Sequence, residues 1–111
     1  MKFKFSRHTA LCSSDAESAL AFYRDALGLP IGDTEWGPVV QQGHFEMFID
    51  ETDRYRGILF ELVTEDLDAA KAYLEANGCQ VLQWDGLGQA CIVEDPHGLR
   101  FNVWQEKEND E

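Results

Sequence analysis

A chain of 111 residues is either one compact unit or two small, intimate halves, and it is long enough to bury a core without staples. A hydrophobic share of 44% and an aromatic share of 12% fit a globular domain and exclude a disordered one. Nine Lys and Arg face 21 Asp and Glu, and the net charge of −12 repels phosphate backbones, which argues against nucleic acid but can steer a cationic small molecule.

The chain opens "MKFKFSRH", with two lysines and no apolar h-region, so it does not read as a signal peptide. No apolar run reaches the length of a membrane span. Both observations predict a cytoplasmic protein without a membrane partner. Cys12, Cys79 and Cys91 are odd in number and lack CxxC spacing, which argues against a disulfide framework or a zinc knuckle. They read as small buried hydrophobes.

A strand-like run, "RHTALCS", comes first. "SSDAESALAFYRDALGLP" then reads as a helix. Ser14 and Glu17 have capping-box spacing, and Ala16, Ala19, Leu20, Tyr23 and Leu27 recur with helical period. Gly28 and Pro30 supply the stop. "VVQQ" and "HFEMFID" follow as strands. "GILFELV" is the next strand, and "TEDLDAAKAYLEANGC" the second helix, capped by Thr64 or Asp66, striped by Leu67, Ala70 and Leu74 and closed by Asn77-Gly78. "CQVLQWD", "QACIVED" and "LRFNVWQ" complete the chain as strands. "DPHG" before the last has Asp, Pro and Gly where a type I turn wants them, so His97 reads as a turn residue rather than as chemistry. The acidic end "EKENDE" reads as a solvated tail.

The two helices overlay. Gly28 and Gly78 lie 50 apart (78 − 28), and the same shift matches Ala19 with Ala69, Tyr23 with Tyr73 and Ala26 with Ala76. An α+β fold follows: two halves, about 1–55 and about 56–111 of a single domain, each a strand, a helix and further strands, sharing one curved sheet with an open concave face. Alternation sorts the strand residues. Phe45, Met47 and Ile49 belong under a helix, as do Phe101 and Val103. His44, Glu46 and Phe48, and Arg100, Asn102 and Trp104, take the opposite faces. The 50-residue shift makes Ile58 the counterpart of His8, which sends Ile58 and Phe60 to the free face.

The pattern "HTALCSSDAESALAFYRDALGLP", with "EDLDAAKAYLEANG" and the closing "DPHGLRFNVWQ", resembles the vicinal oxygen chelate superfamily, which includes glyoxalase I, extradiol dioxygenases and the fosfomycin- and bleomycin-resistance proteins. The resemblance implies paired βαβββ modules, a mostly antiparallel sheet and a homodimer. One superfold hosts many activities, so it does not by itself assign one. Metalloenzymes of this superfamily place one ligand on each of four strands. Those positions fall here on His8, on or beside Glu46, on Ile58 and on Asn102. A zinc-like ion wants at least three His, Cys or carboxylate ligands, so His8 and Glu46 alone fall short unless His44 or a residue from a partner chain contributes.

Two functions follow from the resemblance. One is a metal-free binding protein of the bleomycin-resistance kind, holding a cationic or aromatic small molecule among His8, His44, Glu46, Phe48, Phe60, Asn102 and Trp104, with no cofactor. The other is a divalent-metal lyase, isomerase or dioxygenase, with His8 and Glu46 at the ion.

Overall fold

The structure, a computed structural model, describes residues 1–106. Of the predicted acidic tail, everything from Lys107 onward lies outside the described residues. Among the described residues, eight strands and two helices follow in the order β1 (Phe3–Ser13), α1 (Ala16–Ala21) running into one π-helical turn (Phe22–Ala26), β2 (Ile31–Thr34), β3 (Gly37–Gln42), β4 (Phe45–Glu51), β5 (Gly57–Thr64), α2 (Leu67–Ala76), β6 (Gln80–Trp84), β7 (Cys91–Glu94) and β8 (Arg100–Gln105). The described residues fall into two compact units, one spanning Arg7–Leu59, the other joining Met1–Ser6 with the described residues from Phe60 onward. The first six residues thus group with the later half of the chain. The ladders β2–β3, β3–β4, β6–β7 and β7–β8 run antiparallel, whereas β1–β4 and β5–β8 run parallel.

In the first unit the strand order is β2-β3-β4-β1. Asp15, not Ser14, caps α1: its carboxylate accepts from the Ser18 N–H at 3.0 Å. An aspartate at the N-cap satisfies an orphan amide and also answers the positive end of the helix. The Ala16 N–H donates to Glu51 Oε1 at 3.1 Å, so α1 begins on the side of β4 that carries Met47, Ile49 and Glu51. Side chains two apart share a strand face, so Glu46 and Phe48 point the other way. The helix is not regular throughout. Leu27 N–H reaches back five residues to the Phe22 carbonyl at 3.2 Å, and Leu29 N–H closes on Tyr23 at 3.0 Å. A π-turn holds one residue more than an α-turn. No residue of α1 or of the π-turn is fully buried.

The second unit orders its strands β5-β8-β7-β6. Of the two capping candidates Asp66 takes the role, accepting from the Ala69 N–H at 3.1 Å, while the Thr64 hydroxyl is buried and donates to the Lys2 carbonyl. Leu67, Ala70 and Leu74 bury their stripe on Cys91, Val93, Phe101 and Val103, and Leu62, Cys79 and Val81 pack against that cluster. Burying an aliphatic side chain of this size contributes about 1.5–3 kcal/mol, so this stripe is the main reason α2 holds. Gly78, at φ 90, ends the helix where a side chain would be strained. The last strand is launched as the sequence predicts. Asp95 Oδ1 accepts from the His97 and Leu99 N–H groups at 2.8 and 2.9 Å, and His97 points to solvent. The Leu99 amide is the leading cause that holds the Asp95 carboxyl below its ordinary range.

The corresponding hydrogen bonds of the two units correct the 50-residue overlay. The N-caps Asp15 and Asp66 lie 51 apart (66 − 15), while Gly28 and Gly78 lie 50 apart (78 − 28). The π-turn absorbs the difference. Ahead of the helices the matching shift is therefore 51, and the counterpart of His8 is Leu59, not Ile58. Register agrees: Phe60 lies opposite Phe101 and Leu62 opposite Val103, so Phe60 stands on the α2 side of β5 rather than on the face expected of it. There it meets Phe5 edge-on, with ring centroids 6.1 Å apart.

Candidate functional site

The sheet of the first unit has one face away from α1, and its centre is polar. β1 and β4 place His8 directly opposite Glu46, and β3 and β4 place Gln41 opposite Glu46 from the other side. All three side chains therefore share one face. Glu46 is only 7% exposed, while its neighbour Phe45 is 52% exposed, the inverse of what polarity alone predicts for the start of this strand. A carboxylate is buried at such a place only when its charge and lone pairs are answered. Here they are. Arg7 Nη2 donates to Oε2 at 2.6 Å, Gln41 Nε2 donates to the same oxygen at 2.6 Å, and His8 Nδ1 lies 2.7 Å from Oε1. The Thr9 hydroxyl also donates to the Glu46 backbone carbonyl at 3.2 Å.

The electrostatics follow from these contacts. The hydrogen bond from Arg7 is the largest cause that holds the Glu46 carboxyl below its ordinary range, and His8 and Gln41 pull the same way. Glu46 thus stays ionised and fully engaged near neutral pH, which suits an organising anion and not a proton acceptor. Phe48 extends the same face. Its ring lies 5.5 Å from that of His8, tilted by 57°. Val39 pairs with Phe48, and Ala10 lies opposite it on β1, so an apolar floor adjoins the polar cluster. Further along, Cys12 is buried opposite Asp50. Burial first, and the Asp50 charge second, push its thiol up, so it is no nucleophile.

The expected site residues separate. His8, Glu46 and Phe48 come together. His44 does not join them, because β4 starts at Phe45 and His44 sits exposed in the turn before it. Asn102, Trp104 and Phe60 belong to the second unit. The Asn102 carbonyl oxygen accepts from the Cys91 N–H at 2.8 Å and so ties β8 to the start of β7. Trp104 is half-buried, and its Nε1 has no hydrogen-bond partner among the described residues. Arg7 and Gln41 were not expected. Gln41 was legible in principle: a two-residue turn at Gly43-His44 sets residue 42 opposite 45 and residue 41 opposite 46. Arg7 carried no such signal.

A divalent ion is what the superfamily's metalloenzymes hold, and the donors here do not fit one. Both Glu46 oxygens and the facing His8 nitrogen already answer one another. The Ile58 position, and Leu59 beside it, are apolar, and the Asn102 oxygen is committed to backbone. Among the described residues no three His, Cys, Asp or Glu side chains gather as an ion requires.

This arrangement of strands and helices places the chain in a recognisable class. Residues 8–104 match the family described as Glyoxalase-like domain, and the chain belongs to that family. Solved structures agree on the fold. A hypothetical protein from Bacillus halodurans C-125 is 15% identical with a TM-score of 0.60, covering 100% of this chain and 99% of that one. A glyoxalase/bleomycin resistance protein/dioxygenase superfamily member from Vibrio splendidus 12B01 is 14% identical with a TM-score of 0.58, covering 96% and 100%. A methylmalonyl-CoA epimerase from Streptomyces coelicolor, in complex with 2-nitronate-propionyl-CoA, is 16% identical with a TM-score of 0.55, covering 96% and 100%. No curated protein matches the chain. No helix among the described residues is long and apolar enough to cross a membrane.

Proposed function

We propose that this chain is a metal-free small-molecule-binding member of its family, and that the Glu46 face of the first unit holds a planar aromatic ligand. The observation that carries this reading is Glu46 itself, a nearly buried carboxylate whose oxygens are occupied by Arg7, His8 and Gln41. Such a carboxylate fixes its neighbours in place and has little left to offer an ion. Local charge is close to balanced by Arg7, so recognition rests on the ring surfaces of Phe48 and His8 and on oriented polar groups. The net charge of −12 acts at longer range and favours cationic ligands on approach. The two units are read as paired βαβββ modules of the superfamily fold, which the matching cap bonds of Asp15 and Asp66 support. On the same reading the working form is a cytoplasmic homodimer, and sedimentation at graded concentration tests the dimer.

Elemental analysis combined with calorimetry tests the function. Protein purified without chelator is expected to carry far less than one divalent ion per chain and still to bind a planar cation such as proflavine. Near-stoichiometric metal that disappears in His8→Ala would support instead the metal-dependent lyase, isomerase or dioxygenase that some relatives of this fold represent.

A further inference from the structure

Of the nine glycines, eight lie at positive φ, where a side chain is strained, and Gly32 alone does not. Backbone conformation therefore does not require glycine there. Space does. A Cβ at Gly32 would stand 2.9 Å from Gln41 Oε1 and 3.4 Å from Val39 Cγ1, and a contact under 3.0 Å forces something to move. The movable group is the amide of Gln41. That amide has a defined direction. Glu46 only accepts, so the NH₂ end of Gln41 must face it, at 2.6 Å, and the carbonyl end must turn to the notch above Gly32.

We propose that Gly32 is a positioning residue. Its missing side chain lets Gln41 lie across β2 with Nε2 locked on Glu46 and Oε1 presented as an oriented acceptor, so the site selects aromatic ligands that carry an N–H donor. This inference rests on the ligand-binding reading above for its second half only. The chain of positioning runs from Gly32 through Gln41 to Glu46 and thence to His8 and Arg7, all within one unit. A glutamine free to flip would offer donor and acceptor alike. One clamped at its nitrogen discriminates.

The test has two readouts on wild type, Gly32→Ala and Gln41→Met. The first is the side-chain amide pair of Gln41 in ¹⁵N-correlated spectra. Wild type is expected to show it displaced from the solvent-exposed glutamine position and protected from exchange. Gly32→Ala should return it to that position with the backbone spectrum otherwise folded, and an unmoved pair overturns the positioning claim. The second is affinity for proflavine, a planar cation with N–H donors, against N-methylacridinium, a planar cation without them. One well-placed hydrogen bond corresponds to about tenfold. Wild type should prefer proflavine by that factor, and both variants should lose the preference. Equal preference in wild type and the variants overturns the selectivity claim. If Gly32→Ala does not fold, Gln41→Met decides selectivity without touching β2. If neither dye binds wild type, the binding function and the selectivity claim both fall, while the amide spectra still decide the positioning claim.

Discussion

The two units begin their helices in the same way and finish them differently. In each, an aspartate caps the helix, and the first helical N–H is received by a side chain at the end of the last strand, Glu51 for Ala16 and Gln105 for Leu67. Beyond that point α2 runs straight into a packed apolar cluster, while α1 swells into a π-turn and buries no residue fully. The second unit invests its sequence in a core. The first carries a buried carboxylate, Glu46, on the opposite face of its sheet, ringed by the more exposed Arg7 and His8. That division puts the polar site in the unit whose helix buries no residue fully, although Val39, Val40 and Met47 are buried in the sheet there.

The comparison is broken most directly by truncating a helix in each unit. Leu74→Ala should cost about 2–5 kcal/mol in chemical denaturation, because a buried leucine leaves a cavity. Leu20→Ala on the half-buried α1 should cost roughly 1 kcal/mol. Equal losses would erase the contrast between the units.

Removing the centre of the polar face comes next. Glu46→Ala should lower the thermal midpoint, because Arg7, His8 and Gln41 lose a common acceptor. The pH dependence has a definite sign. A carboxyl held below its ordinary value of 4.5 contributes stability in full above that value and loses it as pH falls through the lowered one. Glu46→Gln should therefore flatten the acid side of the stability profile below about pH 5, and an unchanged acid limb would show that the network is not formed in solution.

A smaller effect is expected from deleting Asp25. The first helix has 13 steps from cap to closing glycine (28 − 15), the second 12 (78 − 66). One residue fewer should turn the π-turn into an α-turn and leave the midpoint unchanged or slightly raised, while circular dichroism keeps its helical signal. Loss of folding would mean that the extra residue is needed for packing. Smallest of all, His97→Ala should stay within about 0.5 kcal/mol, since its side chain points to solvent in a turn fixed by Asp95.

These contrasts also mark what the residues alone could say. Capped, periodic segments and the "DPHG" corner were legible because local physics fixes them. The stripe of Leu67, Ala70 and Leu74 met its partners, and Phe101 and Val103 turned inward as alternation requires. The fold's family could be read from the same segments. What failed was register carried across a helix. A π-turn has no distinct residue signature, so the single extra residue was invisible, and it moved Phe60 to the other face. The burial of Glu46 was not legible either, because it depends on Arg7 and on pairing with β1 and β3 that alternation alone does not supply. Likewise Asn102 was placed on the expected face, yet its oxygen is used by the backbone of Cys91.

The central claim is that the Glu46 face binds a planar ligand without a metal. Calorimetric titration of proflavine into EDTA-treated wild type and Glu46→Ala tests it most directly. The expected result is saturable binding in wild type that the chelator leaves unchanged and that Glu46→Ala weakens at least about tenfold. Binding that appears only when a divalent ion is restored would contradict it.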